Sequence, residues 1–92
     1  MTKIQLQGQL LCKDEQEVAL VTTHLPLHVE LTRAEDGCLS FSVAPTEDPF
    51  VWRVDEVFQD AAAFRRHQDR AGASEWGRET AAIERDYVIT GL

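Results

Sequence analysis

The chain has 92 residues, with 16 acidic and nine basic side chains and a formal net charge of −7. Nucleic acid and anionic membrane surfaces both call for clustered Lys and Arg, so this balance argues against either as a partner. The length fits one domain over residues 1–92, with a thin core because a chain of this size buries only about 60% of its unfolded surface, and self-association is a reasonable expectation.

Nothing near Met1 has the basic start and long apolar run of a signal peptide, and no stretch approaches the roughly 20 apolar residues of a membrane helix. The chain therefore reads as cytoplasmic, with Cys12 and Cys38 as reduced side chains rather than a disulfide. Lys3 to Cys12 alternates, with Ile4, Leu6, Gly8 and Leu10 on one face and Gln5, Gln7 and Gln9 on the other, which predicts a first strand. Asp14 followed by Glu17 has N-cap character and predicts a helix whose inner face carries Val18, Val21, Leu25, Val29 and Thr32. Pro26 predicts a kink, or two helical pieces meeting near His24 to Pro26.

Gly37 is expected to end this helix in a left-handed conformation. The next strand, Cys38 to Ala44, is expected to place Leu39, Phe41 and Val43 on one face and Cys38, Ser40 and Ser42 on the other. Pro45 to Pro49 reads as a turn, and Phe50 to Phe58 as a third strand forming an antiparallel hairpin with the second. Trp52, Val54, Glu56 and Phe58 share one face of it. Asp60 can cap a helix from about Ala61 to Arg70, followed by a loop around Gly72, and Ser74 can cap a short helix through Ala82. Arg85 to Ile89 closes the chain as a strand with Tyr87 and Ile89 on one face.

The order strand, helix, strand, strand, helices, strand with a right-handed crossover defines an α+β fold, a ferredoxin-like split βαβ with an antiparallel sheet and helices on one face. The open face also carries apolar groups, and a homodimer packed sheet to sheet would cover it.

The segments LPLHVELTRAEDGCLSFSV, DPFVWRVDEVF and AAAFRRHQDR with SEWG together resemble the antibiotic biosynthesis monooxygenase domain family. The resemblance spans nearly the whole chain. It rests on a helix ending in E-x-G-C, an alternating strand, the pair Glu56 and Phe58, and an A-F-x-x-H helix reaching His67. It implies a dimeric α/β barrel and, among the family's activities, a cofactor-independent monooxygenase that oxidises a small phenolic or quinol substrate with molecular oxygen. The alternative within the same fold is an isomerase-type or non-catalytic small-ligand-binding dimer. Haem-degrading members look to use an Asn, a Trp and a His where this chain best places Gln or Gly, His67 and Thr80, so haem is not expected. Isomerase-type members tend to carry a second histidine where this chain offers Ser74.

Within this frame His67 is the leading candidate base. It lies one turn from Phe64 on the sheet-facing side with Gln68 beside it, and the resemblance places the matching histidine in a pocket between helices and sheet. The competing reading is a helix-edge histidine bonded to a backbone carbonyl. His28, at the edge of the first helix's apolar arc, could face the same pocket. His24 precedes it by four residues, but no third ligand is placed to complete a metal site. Trp52, Phe58, Phe64, Trp76 and Tyr87 are candidate walls for an aromatic substrate, with ordinary core the simpler reading for Phe41, Phe58 and Phe64. Glu56, among apolar neighbours, is expected to pair with Arg33, Arg53 or Arg85 as a strut; unpaired, it would have a raised pKa and become a proton acceptor. Arg65, Arg66 and Arg70 read as a solvated face, and Cys38 as packing.

Overall fold

The computed structural model describes residues 2–92. Its elements are β1 (Ile4–Leu11), α1 (Glu15–Arg33), β2 (Cys38–Pro45), β3 (Val51–Phe58), α2 (Ala61–Ala73), α3 (Glu75–Glu79) and β4 (Glu84–Thr90). The strands form one sheet in the order β2-β3-β1-β4, with every neighbouring pair antiparallel. The helices cover one face, so this is the expected ferredoxin-like α+β architecture.

Period-two alternation sends Ile4, Leu6 and Leu10 of β1 and Val54 and Phe58 of β3 into the space under the helices, where each is at most 2% exposed. Full burial of side chains of this size contributes about 1.5–3 kcal/mol each, which makes this inner face the main source of stability. Val21 of α1 and Ala63 and Phe64 of α2 close the core from above. Each helix starts on a side-chain cap. Asp14 accepts from the Glu17 amide at 2.9 Å, Asp60 from Ala63 at 2.8 Å and Ser74 from Gly77 at 3.2 Å. Gly8, opposite Tyr87 in β4, is a close-approach glycine, because a Cβ there would run into the backbone carbonyl of Asp86.

Several local expectations are corrected. α1 is one helix through Pro26 rather than two pieces; Pro26 is exposed, while the segments before and after it bury Val21 and Thr32, so packing holds the helix together across one missing hydrogen bond. The helix ends at Arg33 with Ala34 as its cap, before Gly37. Gly37 does take a left-handed conformation, φ +87°, in the turn into β2, where its carbonyl accepts from Gln59 at 2.8 Å. In β2 an irregularity between Cys38 and Ser40 leaves Leu39 without a partner. One extra residue reverses the facing of what precedes it. Cys38 accordingly packs against the core, while Leu39 is 51% exposed and does not share the face of Phe41 and Val43. α2 runs through Gly72 to Ala73, where a loop was expected, and α3 stops at Glu79 rather than Ala82.

Candidate active site

Between the inner face of the sheet and the three helices lies a cavity of about 420 Å³. Leu6, Leu10, Phe41, Val43 and Val54 make its apolar floor, His28, Gln68, Ala71, Gly72 and Trp76 its helical side, and Glu56, His67, Arg85 and Tyr87 bring polar groups to it.

His67 is 3% exposed and sits on the buried face of α2, one turn after Phe64. Its Nδ1 is 2.8 Å from Glu35 Oε1. An ionised carboxylate only accepts, so the Nδ1 proton belongs to this bond and Nε2 is left with a free lone pair. The expected alternative partner, a backbone carbonyl, is not the one found. Burial lowers the His67 pKa, opposed by the hydrogen bond and charge of Glu35, which favours the neutral imidazole. Glu35 is itself held by Arg70, whose Nε donates to its other oxygen and whose Nη2 donates to Thr32 at 2.9 Å. Arg70 therefore does not join Arg65 and Arg66 on a solvated face; it ties α2 to the end of α1.

Glu56 has none of its expected arginine partners. Arg33 donates to the Phe41 carbonyl at 3.1 and 2.9 Å, Arg53 pairs with Asp55 at 3.0 Å, and Arg85 donates to Thr80 and Ile83. Within the chain no such strut forms, because the first two guanidiniums are spent elsewhere and the third ties down the α3–β4 connection. The Glu56 carboxyl lies 3.8 Å from His67 Nε2, beyond hydrogen-bond length, and its Oε1 is buried without a partner. Burial, with Glu35 adding and Arg85 opposing, pushes its pKa up to about 7.

His28 stacks on Trp76, with ring centroids 4.7 Å apart and planes within 6°. Burial, reinforced by His67, Arg70 and Arg85, lowers its pKa to about 3, so it is neutral at physiological pH. Tyr87, across from Gly8, is pushed up to about 12, chiefly by burial. The structure thus gathers His28, Glu56, His67, Gln68, Trp76 and Tyr87 around one cavity. Phe58 and Phe64 lie beneath it as core, with the Phe58 ring 4.9 Å from that of His67. Trp52 is half-buried beside the core and does not line the cavity.

Sequence reasoning missed Glu35 as the histidine's partner. Its signal was an acidic residue just past a helix C-terminus, where the helix dipole disfavours negative charge unless something else holds it. Cys12 and Cys38 are free, and burial raises both thiol pKa values. Among the described residues no three His, Cys, Asp or Glu side chains converge as metal ligands, and no helix is long and apolar enough to cross a membrane. A second cavity of about 300 Å³ opens between α1 and the α2–α3 junction; His28 and Trp76 line both cavities and form the wall between them.

The chain thus carries a buried, carboxylate-held histidine beside a cavity on a ferredoxin-like sheet. The model of the antibiotic biosynthesis monooxygenase family matches residues 6–79, and the chain belongs to this family. No curated protein matches it. Among solved structures, a Nitrosomonas europaea protein provisionally called an antibiotic biosynthesis monooxygenase superposes with TM-score 0.82 at 19% identity, over 99% of this chain and 90% of its own. A Bacteroides thetaiotaomicron protein of the same provisional description gives 0.81 at 15% identity, over 95% and 86%. Another from that organism, of unknown function and noted as a possible oxidoreductase, gives 0.75 at 14% identity, over 99% and 98%. At these identities the likeness speaks for the fold.

Proposed function

We propose that this chain is a monooxygenase that oxidises a small phenolic or quinol substrate with molecular oxygen, needs no metal or flavin, and works as a homodimer joined through the open face of the sheet. The observation that carries the reading is the Glu35–His67 hydrogen bond, which presents Nε2 as an acceptor in a cavity walled by Phe41, Trp76 and Tyr87. The cavity volume of about 420 Å³ falls within the roughly 300–1,000 Å³ of small-molecule sites.

The chemistry asks for a base, flat walls and a dry site. A substrate hydroxyl gives its proton to His67 Nε2, and Glu35 stabilises the imidazolium that results. The phenolate passes one electron to oxygen, and the radical pair combines at a ring carbon to give a peroxide anion. That anion takes a proton. Loss of the ring hydrogen with cleavage of the O–O bond then places one oxygen atom in the quinone and releases the other as water, and the imidazole returns to neutral. Exclusion of water keeps the anion and radical from side reactions.

Oxygen uptake with a panel of hydroquinones and naphthols tests this. Substrate-dependent uptake is expected, undiminished by a chelator, and His67→Ala should lower kcat at least about 100-fold, the lower end of what a positioned base supplies. Trp76→Ala should raise KM. Uptake no faster than the uncatalysed rate across the panel would sink the reading.

A further inference from the structure

Glu56 is a polar group of the cavity that base chemistry at His67 leaves without a task. Its Oε1 is buried with no hydrogen-bond partner, and it lies 3.8 Å from His67 Nε2. Leaving a buried carboxyl oxygen unsatisfied costs about 1–3 kcal/mol, a cost with no structural return here because every nearby arginine is engaged elsewhere. We propose that Glu56 donates a hydrogen bond to the bound substrate and, together with His67, selects aromatics bearing oxygens on two adjacent ring carbons, namely catechols. The proposal rests on the aromatic-ligand reading above and adds the substrate class to it.

The geometry favours two oxygens over one. A single phenolic oxygen bridging Nε2 and Oε1 with two bonds of about 2.8 Å would have to accept an angle near 90°, well short of tetrahedral. Two oxygens on neighbouring ring carbons are themselves roughly 2.7 Å apart, one hydrogen-bond length. One then donates to Nε2 while the other accepts from the Glu56 hydroxyl, and both bonds stay close to linear.

The role requires Glu56 to hold its proton, and its surroundings favour that. Glu35 and Cys38 act on it from the α1–β2 side, neutral His67 from α2, and Arg85 and Tyr87 from β4, while neutral His28 of α1 lines the same cavity. Arg85 is the single positive charge among them, and its guanidinium is engaged by Thr80 and Ile83. Burial and Glu35 together outweigh it. Glu56 therefore donates on the acid side of neutrality and repels an anionic ligand on the alkaline side.

The test is anaerobic binding of two chromophores that differ by one oxygen, 4-nitrocatechol and 4-nitrophenol, followed by absorbance at about pH 6, where the Glu56 carboxyl is protonated. Wild type should bind the catechol at least about tenfold more tightly, the equivalent of one good hydrogen bond. Glu56→Gln, which keeps a donor, should retain most of that preference. Glu56→Met, which fills the space without one, should lose it and bind the two probes alike. In wild type the preference should fade above about pH 8. Equal binding of the two probes by wild type, a preference that survives Glu56→Met, or binding of neither probe would each overturn the proposal. If the preference holds while no oxygen is consumed, the oxygenase reading falls and the Glu56 assignment stands.

Discussion

Glu35 bears the electrostatic cost of a carboxylate near the negative end of α1 and is held there by two groups 32 and 35 residues further along, His67 and Arg70. Removing it leaves Arg70 partly buried without its counter-charge and His67 without the bond that fixes its tautomer. Glu35→Ala should cost about 2–3 kcal/mol in urea unfolding, in line with loss of charge-assisted hydrogen bonds. Glu35→Gln should fold nearly as well but lower kcat, because an amide can offer its nitrogen to the ring and no longer dictates which nitrogen carries the proton. These contacts were hard to read from the sequence because they join residues far apart along it; His67 itself was legible from its place one turn after Phe64. Glu56 gives a second test. With its folded pKa raised from 4.5 to about 7, the native state holds a proton that the unfolded chain gives up, so its contribution is full below about pH 4.5 and is lost as pH rises through 7. Relative to wild type, Glu56→Gln should gain on the order of 3 kcal/mol of stability between those limits, read as the difference in unfolding free energy with pH. His28 acts in the opposite sense. Its pKa, lowered to about 3, makes stability fall as pH drops from about 6.5 toward 3.

Elements differ in how plainly their sequences announce them. β1, β3 and the capped starts of α1, α2 and α3 follow directly from alternation and from Asp14, Asp60 and Ser74. β2 does not, because its bulge at Leu39 is set by pairing with β3, and a period-two reading of Leu39, Phe41 and Val43 carries no trace of an inserted residue. Gly72 suggests a loop for a related reason: a glycine inside a helix costs about 1 kcal/mol, which packing of α2 on the sheet readily outweighs. Two substitutions test the element-scale account by thermal unfolding. Pro26→Ala should stabilise by about 1–3 kcal/mol, since the site is exposed and the change restores an amide donor to α1. Gly37→Ala should destabilise by at least about 1–2 kcal/mol, because φ is +87° and the added Cβ would fall 2.5 Å from that of Ala63.

For the molecule as a whole, the question is what happens at the uncovered face of the sheet. Gln5, Gln7 and Gln9 line its middle, Arg53 and Asp55 pair beside them, and Leu39 and Val88 stand out at 51% and 66% exposure. Such a face suits the proposed homodimer better as a mixed, hydrogen-bonded interface than as a dry one. Light scattering should give twice the 10.4 kDa chain mass at micromolar concentration. Because each chain carries a net charge of −7, association should strengthen with added salt as repulsion between like-charged copies is screened. A mass matching one chain under all salt conditions would remove the dimer from the proposal.

The stacked pair that separates the two cavities also gives the protein an optical reporter. The Trp76 indole lies flat against an imidazole that stays uncharged until about pH 3, so its emission should hold steady across the neutral range, free of the quenching that a protonated histidine brings. A ligand entering either cavity meets that indole or its stacking partner. Since Trp52, the other indole, does not line the larger cavity, a change in emission that persists in Trp52→Phe and vanishes in Trp76→Phe would register occupancy without any turnover.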